Sequence, residues 1–140
     1  MPKYDPLSKE ERSERMSRVK GKNTGLEIIV RKLLSESGFK YYRLNVSRLP
    51  GKPDIVFSRL IKVIFIHGCF WHLHSCKKYR IPKTRKMFWT NKLSSNVLRD
   101  KRNYKELKKQ GWKILVLWEC QLRRSKIVAT QNRINKFLLS

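Results

Sequence analysis

The residues that decide the fold form the stretch Ile61-Lys62-Val63-Ile64-Phe65-Ile66, which is followed at once by the polar segment His67-Gly68-Cys69. β-Branched and aromatic residues dominate the first stretch, and such a run is typical of a buried strand. Trp112–Trp118 has the same character and predicts a second buried strand. A shorter strand is predicted at Asp54–Phe57, directly after a turn rich in Pro and Gly.

Helical patterns surround these strands. Thr24-Gly25-Leu26-Glu27 has the form of a capping box, and an apolar stripe at helical spacing follows it as far as Gly38. A long helix is predicted over Asn91–Gln110 and another from about Ser125, while Phe39–Val46 predicts one more strand. This order of elements indicates an α/β fold, with a mixed β-sheet flanked by helices.

Length and charge limit the classes of function. The chain has 140 residues, which suits a single domain over residues 1–140. Its 34 Lys and Arg residues against 10 Asp and Glu residues give a formal net charge of +24. A field of that strength favours a polyanion, and nucleic acid is the commonest such partner. Residues 1–22 predict a helical arm, with a helix from Ser8 to about Val19, that contacts DNA.

A membrane protein is not expected. The longest strongly apolar stretch, Val63–Trp71, falls far short of the roughly 20 residues that a spanning helix needs. The N-terminus lacks an apolar signal region, so a cytoplasmic location is expected. In that reducing compartment, the 3 Cys residues favour metal binding or packing over disulfide bonds.

Cysteine and histidine are concentrated between positions 67 and 76. All 3 His residues and two of the Cys residues lie there, and such clustering is typical of tetrahedral zinc sites. The candidate ligands are Cys69, His74, Cys76 and Cys120. A site with all four ligands would be closed and therefore structural. Because the spacing is not that of a standard zinc finger, the alternative is a set of buried thiols beside surface histidines.

Asp54, His67 and His72 predict a second site, with a catalytic role. Neutral imidazoles transfer protons near pH 7, although a single His is more often structural. An Asp at the start of one strand and a reactive group at the end of the next is the layout of magnesium-dependent nucleases. The usual Glu-x-Lys of the second strand is replaced by Phe65-Ile66-His67. Taken alone, the Pro53-Asp54 dipeptide is better explained by a hydrogen bond of the Asp54 side chain within the turn.

Two further features bear on function. Phe70-Trp71 and Phe88-Trp89 are aromatic pairs in polar segments, and such pairs can wedge between DNA bases, although single aromatic residues are as often part of a core. Two carboxylates lie on helix faces that are otherwise apolar. Glu27 is either a capping residue or a group beside a site, and Asp100 is expected to have a partner there, for example an Arg.

Together these motifs resemble those of the very short patch repair (Vsr) DNA mismatch endonucleases. The resemblance covers roughly residues 10–122, and its most specific motif is His67-Gly68-Cys69-Phe70-Trp71-His72. The other matching stretches are Arg12-Ser13 through Met16, Asn23-Thr24 with Glu27, Leu49–Asp54, Val63–Ile66, Phe88-Trp89, Asn96–Asp100, Gly111-Trp112 and Val116–Cys120. The resemblance implies a restriction-endonuclease-like fold and a magnesium-dependent nick on the 5′ side of the T in a T:G mismatch.

The resemblance also implies roles for single residues. Asp54 looks like the magnesium-binding carboxylate, with the backbone carbonyl of Ile66 as a second ligand. His67 and His72 look like the proton-handling pair, and Glu27 like an acid that orients the site through His72 or a water at the metal. The structural zinc ligands would be Cys69, His74, Cys76 and Cys120. The DNA-contacting residues would be Phe70, Trp71 and Trp89 as the wedge, and Met16, Lys92 and Asn96 at the T:G pair.

Two positions depart from the family's pattern. Ile66 stands where the family can have Thr, a change that a ligand role for the backbone carbonyl would tolerate. Leu73 stands where a third adjacent His can occur, and no role is assigned to it.

The implied substrate suggests partners as well. Deamination of 5-methylcytosine leaves T opposite G, so the resemblance implies a functional link to a cytosine-5 DNA methyltransferase, and a MutL-type repair factor and a repair DNA polymerase as further partners. The protein is then expected to be a monomer associated with a prokaryotic nucleoid. Two other functions stay open: a non-catalytic, zinc-stabilised DNA-binding module, and a restriction-type nuclease that cuts matched DNA.

Overall fold

A computed structural model describes residues 24–74 and 81–140 of the chain. The predicted N-terminal arm, including Met16, and the proposed ligand Cys76 lie outside these ranges. The helices are α1 (Thr24–Glu36), α2 (Lys86–Lys109) and α3 (Ile127–Leu139), and a 3-10 helix covers Glu119–Leu122. The strands are β1 (Arg43–Leu44), β2 (Ile55–Phe57), β3 (Lys62–His67) and β4 (Lys113–Trp118). No helix within the described ranges is long and apolar enough to cross a membrane.

The four strands form one mixed sheet in the order β1-β2-β3-β4. β1 and β3 each pair antiparallel with β2, and β3 pairs parallel with β4 along its whole length, from Lys62 opposite Lys113 to His67 opposite Trp118. The parallel pair requires a crossover connection, which α2 supplies. The predicted mixed α/β fold is therefore confirmed for the described residues.

Side chains alternate between the two faces of the sheet, as the period of a strand requires. On one face Ile64, Ile66 and Leu117 pack with α1 and α3 in a single buried cluster. On the other face Val63 and Phe65 pack against Leu107 of α2. β3 is buried on both faces, and this explains why its sequence is almost continuously apolar.

Two elements differ from the sequence-based expectation. The strand predicted over Phe39–Val46 is reduced to β1, and Asn45, just after β1, has a left-handed backbone with φ of 50°. Helix α2 begins five residues before the predicted start, because Phe88 and Trp89 belong to its first turn. The contacts of Trp89 with Phe70 and Trp71 are tertiary, and helical periodicity gives no signal for them.

A buried lysine ties the sheet to the end of α3. The side chain of Lys62 is 3% exposed, and its ammonium donates hydrogen bonds to the carbonyl oxygens of Phe137 at 2.7 Å and Ser140 at 2.9 Å. A cation at the C-terminal end of a helix satisfies carbonyls that lack helical partners. Burial, followed by the charge of Lys113, lowers the pKa of Lys62.

The turn before Asp54 is packed tightly against α2. Gly51 has a φ of 77°, and a Cβ atom at this position would lie 3.0 Å from Cβ of Asn103 and 3.2 Å from the ring of Phe65. Glycine is therefore required here for both backbone conformation and space. The close contact fixes the position of Asp54, three residues later.

Candidate active site

Asp54 lies at the centre of the sheet, immediately before β2. Its carboxylate Oδ2 accepts a hydrogen bond from the backbone N–H of Ile66 at 2.7 Å. This contact joins the residue before β2 to the C-terminal end of β3. The Asp54 side chain is only 6% exposed. The predicted proximity of Asp54 to the end of the second hairpin strand is thus present.

A second buried carboxylate faces the same region. Glu27 of α1 is 8% exposed, and its Oε1 accepts a hydrogen bond from Nδ2 of Asn45 at 3.1 Å. Burial, and secondly the repulsion from Glu27, raises the pKa of Asp54 to about 7, although the bond from Ile66 opposes that rise. The positive charge of Lys52 opposes the rise in the pKa of Asp54. Two buried acids that repel each other form a site that favours a proton or a cation.

His67 ends β3 and is almost fully buried. Its Nε2 is hydrogen-bonded to the hydroxyl of Tyr104 on α2. Burial is the main cause that lowers the pKa of His67 to about 3, and the adjacent His72 acts in the same direction. The ring is therefore a neutral imidazole at physiological pH, with one donor and one acceptor nitrogen.

His72 stacks on His67 and is bound by a carboxylate. The two imidazole rings are 3.7 Å apart between centroids and within 14° of parallel. Nδ1 of His72 lies 2.5 Å from Oδ2 of Asp100 on α2, and the same oxygen is 4.0 Å from Nε2 of His67. Asp100 thus has a histidine partner, and the Arg suggested as an example from the sequence is not the residue found there.

The acid that contacts His72 is Asp100, whereas Glu27 contacts Asn45 and approaches Asp54. Among the hydrogen bonds seen in the described ranges, none joins Glu27 to His72, so a direct orienting role of Glu27 through His72 has no support there. The alternative, that Glu27 acts through a water at the metal, stays a prediction. The sequence pattern placed Asp100 on an apolar helix face with an expected partner, and it did not single out Tyr104. Their spacing of four residues on α2, which places both on one helix face, is the signal that could have linked them.

Three of the four predicted zinc ligands lie together. Nδ1 of His74 is 3.5 Å from Sγ of Cys69 and 3.5 Å from Sγ of Cys120, and these three residues form a possible metal-binding group. Ligands at about 2.3 Å and 2.1 Å from a tetrahedral ion stand roughly 3.6 Å apart, so the separations fit zinc. The His74 ring is also stacked on Trp118 at 4.0 Å, and burial lowers its pKa.

The predicted wedge residues form one aromatic cluster. Phe70 and Trp71 follow β3, and Trp89 lies in the first turn of α2, with ring centroids 5.6 Å from Phe70 and 5.9 Å from Trp71. Phe88 extends the cluster and is 43% exposed, and the guanidinium of Arg85 lies 4.2 Å above its ring. Phe70, Trp71 and Trp89 are partly buried, and Phe88 is exposed.

Two other predicted DNA-contacting residues lie on α2. Lys92, predicted to contact the T:G pair, is exposed. The Asn96 side chain donates to the carbonyl oxygen of Trp71 at 3.1 Å and accepts from Arg99 at 3.0 Å. Asn96 therefore holds the aromatic cluster against α2 in this state of the protein.

Comparison with known proteins gives a consistent result. The family model described as DNA mismatch endonuclease Vsr matches residues 4–78. The chain is 44% identical over 134 residues to a type II nicking enzyme, V.NmeAIP, of Neisseria meningitidis, and the match covers 96% of this chain and 94% of the relative.

Two further relatives extend the comparison. A type II nicking enzyme of Xanthomonas oryzae, V.XorIIP, is 42% identical over 96% of each chain. The protein named DNA mismatch endonuclease Vsr from Escherichia coli is 40% identical over 119 residues, which cover 85% of this chain and 76% of the relative.

Proposed function

Because the chain belongs to the Vsr family of DNA mismatch endonucleases, we propose that it nicks duplex DNA on the 5′ side of the T in a T:G mismatch. The observations that support this proposal are the bond from the backbone N–H of Ile66 to the Asp54 carboxylate and the stacking of His67, the next residue, on His72. A zinc-stabilised binding module would not need a buried acid beside two stacked imidazoles. A restriction-endonuclease-like form of the mixed α/β fold, in one domain over residues 1–140, is part of the proposal.

Magnesium is the proposed catalytic metal. Asp54 and the backbone carbonyl of Ile66 would bind the magnesium ion. The Asp54–Glu27 pair is buried, and no cationic side chain contacts it among the contacts seen for residues 24–74 and 81–140. Such a pair of carboxylates fits a divalent cation. When bound, such an ion stabilises charge on the phosphate and lowers the pKa of water. Glu27 would contribute negative charge to the site and hold Asn45 in place.

His72 and His67 have different surroundings, and we assign them different parts in proton handling. Asp100 fixes Nδ1 of His72, which directs the opposite nitrogen away from the carboxylate and leaves it suited to take a proton from an attacking water or give one to the leaving 3′ oxygen. Hydrolysis breaks the P–O3′ bond and leaves a 5′ phosphate and a 3′ hydroxyl. His67 is more deeply buried than His72, and we assign it a supporting role in the site.

The aromatic cluster of Phe70, Trp71 and Trp89 is the proposed mismatch wedge. A T:G pair is easier to unstack than a matched pair, so aromatic insertion costs less there. Lys92, Asn96 and Met16 would then contact DNA near the mismatch, and the net charge of +24 would neutralise backbone phosphates.

Replacing Trp71 by Ala is expected to erode discrimination between T:G and matched DNA by about 10-fold or more, because one stacking residue contributes roughly 1–3 kcal/mol. The measurement is the ratio of the two dissociation constants at fixed salt. Tyr41→Ala, which removes a ring 85% exposed and outside the cluster, is the control. Equal losses of affinity for the two duplexes would show that Trp71 is a packing residue.

We propose that zinc binds Cys69, His74, Cys76 and Cys120 as a structural ion. It would join the loop after β3 to the 3-10 helix after β4, next to the stacked Trp118. The distances from Nδ1 of His74 to the sulfur atoms of Cys69 and Cys120 support these three residues as ligands. Cys76, the proposed fourth ligand, follows His74 by two residues in the sequence.

Protein purified without added zinc is expected to contain about one zinc per chain. Cys120→Ala is expected to lose the metal and to lower the melting temperature, since structural zinc contributes to folding. Elemental analysis and thermal unfolding measure the two effects, with Ser125→Ala as a nearby exposed control. A metal content near zero with an unchanged melting temperature would rule out the zinc site.

The wider partners stay proposals. A cytosine-5 DNA methyltransferase would create the sites that later become T:G mismatches, while a MutL-type factor and a repair polymerase would act before and after the nick. A cytoplasmic, nucleoid-associated monomer is the form of the protein that suits these roles.

One assay distinguishes the proposed function from its alternatives. Matched and T:G duplexes of the same sequence, labelled on either strand, are incubated with the protein and magnesium, and the products are separated under denaturing conditions. A nick restricted to the T strand, 5′ to the mismatch, is expected. Cleavage of both strands of matched DNA would favour the restriction-type nuclease, and binding without cleavage would favour the non-catalytic module.

A further inference from the structure

The indole of Trp118 contacts all 3 histidine residues of the chain. It is stacked on the ring of His74, with centroids 4.0 Å apart and planes within 13° of parallel. It meets His67 at 5.3 Å and His72 at 6.3 Å between centroids, with interplanar angles of 66° and 75°. One side chain therefore borders both the candidate zinc group, through His74, and the proposed proton-handling pair.

The backbone of Trp118 is held by the sheet and by the segment that follows it. Trp118 lies opposite His67 in the parallel pair of β3 and β4. Its N–H donates to Oε1 of Gln121 at 3.1 Å, and the hydroxyl of Thr130 on α3 donates to the carbonyl oxygen of Gln121 at 2.6 Å. These bonds tie the end of β4 to the 3-10 helix and to α3. The position of the indole is therefore set independently of the loop after β3.

A single hydrogen bond does not fix the plane of an imidazole ring. Asp100 holds Nδ1 of His72, but rotation of the ring about that bond is left open. Stacking on His67 restricts the rotation only as far as His67 itself is held. Trp118 stands at a steep angle to both stacked rings, and edge-to-face contact is a preferred geometry of aromatic groups. A tilt of either imidazole would move it against the flat indole.

We propose that Trp118 is a positioning residue, whose indole holds the ring planes of His67 and His72 and joins them to the metal group that contains His74. The inference rests on the proposed function, in which the nitrogen of His72 opposite Asp100 exchanges the proton, and on the proposed zinc ion, which would fix His74. A tilt of the His72 ring displaces that nitrogen, and a displacement of about 1 Å can cost on the order of 10²-fold in rate.

Two substitutions of Trp118 test the inference. Trp118→Leu removes the flat ring and keeps an apolar side chain, and we expect the single-turnover nicking rate on T:G DNA at saturating protein to fall about 10- to 100-fold. Trp118→Phe keeps a smaller ring, and a loss of about 3- to 10-fold is expected. The dissociation constant for the same duplex should stay within a few-fold of that of the unmodified protein. Trp112→Leu, the same change in the core cluster on the other face of the sheet, is the matched control and should nick at the normal rate.

Two further readouts separate positioning from a general structural role. In a His72→Ala background, Trp118→Leu should have little additional effect on the residual rate, because the ring that it positions is gone. Trp118→Leu should also release zinc to a coloured chelator faster than Trp112→Leu does, because His74 has lost its stacking partner. This second readout needs neither DNA nor catalysis.

The outcomes are distinguishable from those of the proposed function. If the unmodified protein nicks T:G DNA and Trp118→Leu nicks equally fast, the inference is wrong and the proposed function stands. Additive losses in the His72→Ala background, or zinc release no faster than in Trp112→Leu, would also overturn it. An unmodified protein that nicks but contains no zinc would overturn the link to His74. If the unmodified protein fails to nick, the proposed function fails and the inference falls with it.

Trp118→Phe decides the matter if Trp118→Leu does not fold, as thermal unfolding would show. A loss of nicking rate in Trp118→Phe that disappears in the His72→Ala background would support the inference. A rate equal to that of the unmodified protein would overturn it.

Discussion

Asp54→Ala is expected to abolish nicking of a T:G duplex and to leave binding of the mismatch within a few-fold of that of the unmodified protein. Asp54 is the proposed metal ligand, and loss of the metal removes both charge stabilisation and activation of water, so the loss should exceed the roughly 10²- to 10⁴-fold that acid–base catalysis contributes. Binding should persist because a carboxylate near the phosphates repels DNA and contributes little to affinity.

Single-turnover nicking with magnesium and an equilibrium binding assay on the same duplex measure the two effects. Asp54→Asn, which keeps the shape and can still accept the hydrogen bond from Ile66, is expected to be equally inactive. Glu106→Ala removes an exposed carboxylate of α2 and should nick normally. Near-normal cleavage by Asp54→Ala would refute the proposed mechanism.

The second large effect is expected at His72. His72→Ala should lower the single-turnover rate about 10²- to 10⁴-fold, because the proposed proton carrier is lost while the metal ligands remain. Asp100→Asn should cause a smaller loss, since it weakens the orientation of the ring but keeps the imidazole. In the His72→Ala background, Asp100→Asn should have little further effect.

His67→Ala is also expected to slow nicking, as the sequence predicted, but for a reason that depends on the structure. The ring is 5% exposed, and its removal leaves the Tyr104 hydroxyl without its partner. Thermal unfolding should therefore accompany the assay of this variant. If His72→Ala and Asp100→Asn both nick at the normal rate while His67→Ala is inactive, His67 is the proton carrier, and the assignment of the two histidines is reversed.

Much of the fold could be predicted from local patterns. The apolar and β-branched residues of Lys62–His67 and Lys113–Trp118 define β3 and β4. β3 is buried on both faces, and such a strand tolerates few polar side chains. The capping box and apolar stripe define α1. The strand predicted over Phe39–Val46 is too long at both ends; β1 ends before the left-handed backbone of Asn45, which no hydrophobic pattern indicates.

The candidate site was predicted in its chemistry but not in its contacts. Clusters of His, Cys and Asp are visible in one dimension, and residue type limits what they can bind. The partner of each group lies far away in sequence: 28 residues separate His72 from Asp100, and 37 separate His67 from Tyr104. Asp100 could therefore be placed on a helix face without its histidine partner, and Tyr104 was not identified.

The sequence by itself determined the order of helices and strands, the positive field that favours DNA, the resemblance to a family of mismatch endonucleases and the residue types of both candidate metal sites. The tertiary structure decided which carboxylate contacts His72, why Lys62 can lie in a buried strand, and where Trp89 meets Phe70 and Trp71. Composition and periodicity act over a few residues, whereas a hydrogen bond requires two atoms within about 3 Å. That distance exists only after α2 has packed against β3, since the packing alone brings distant segments of the chain together.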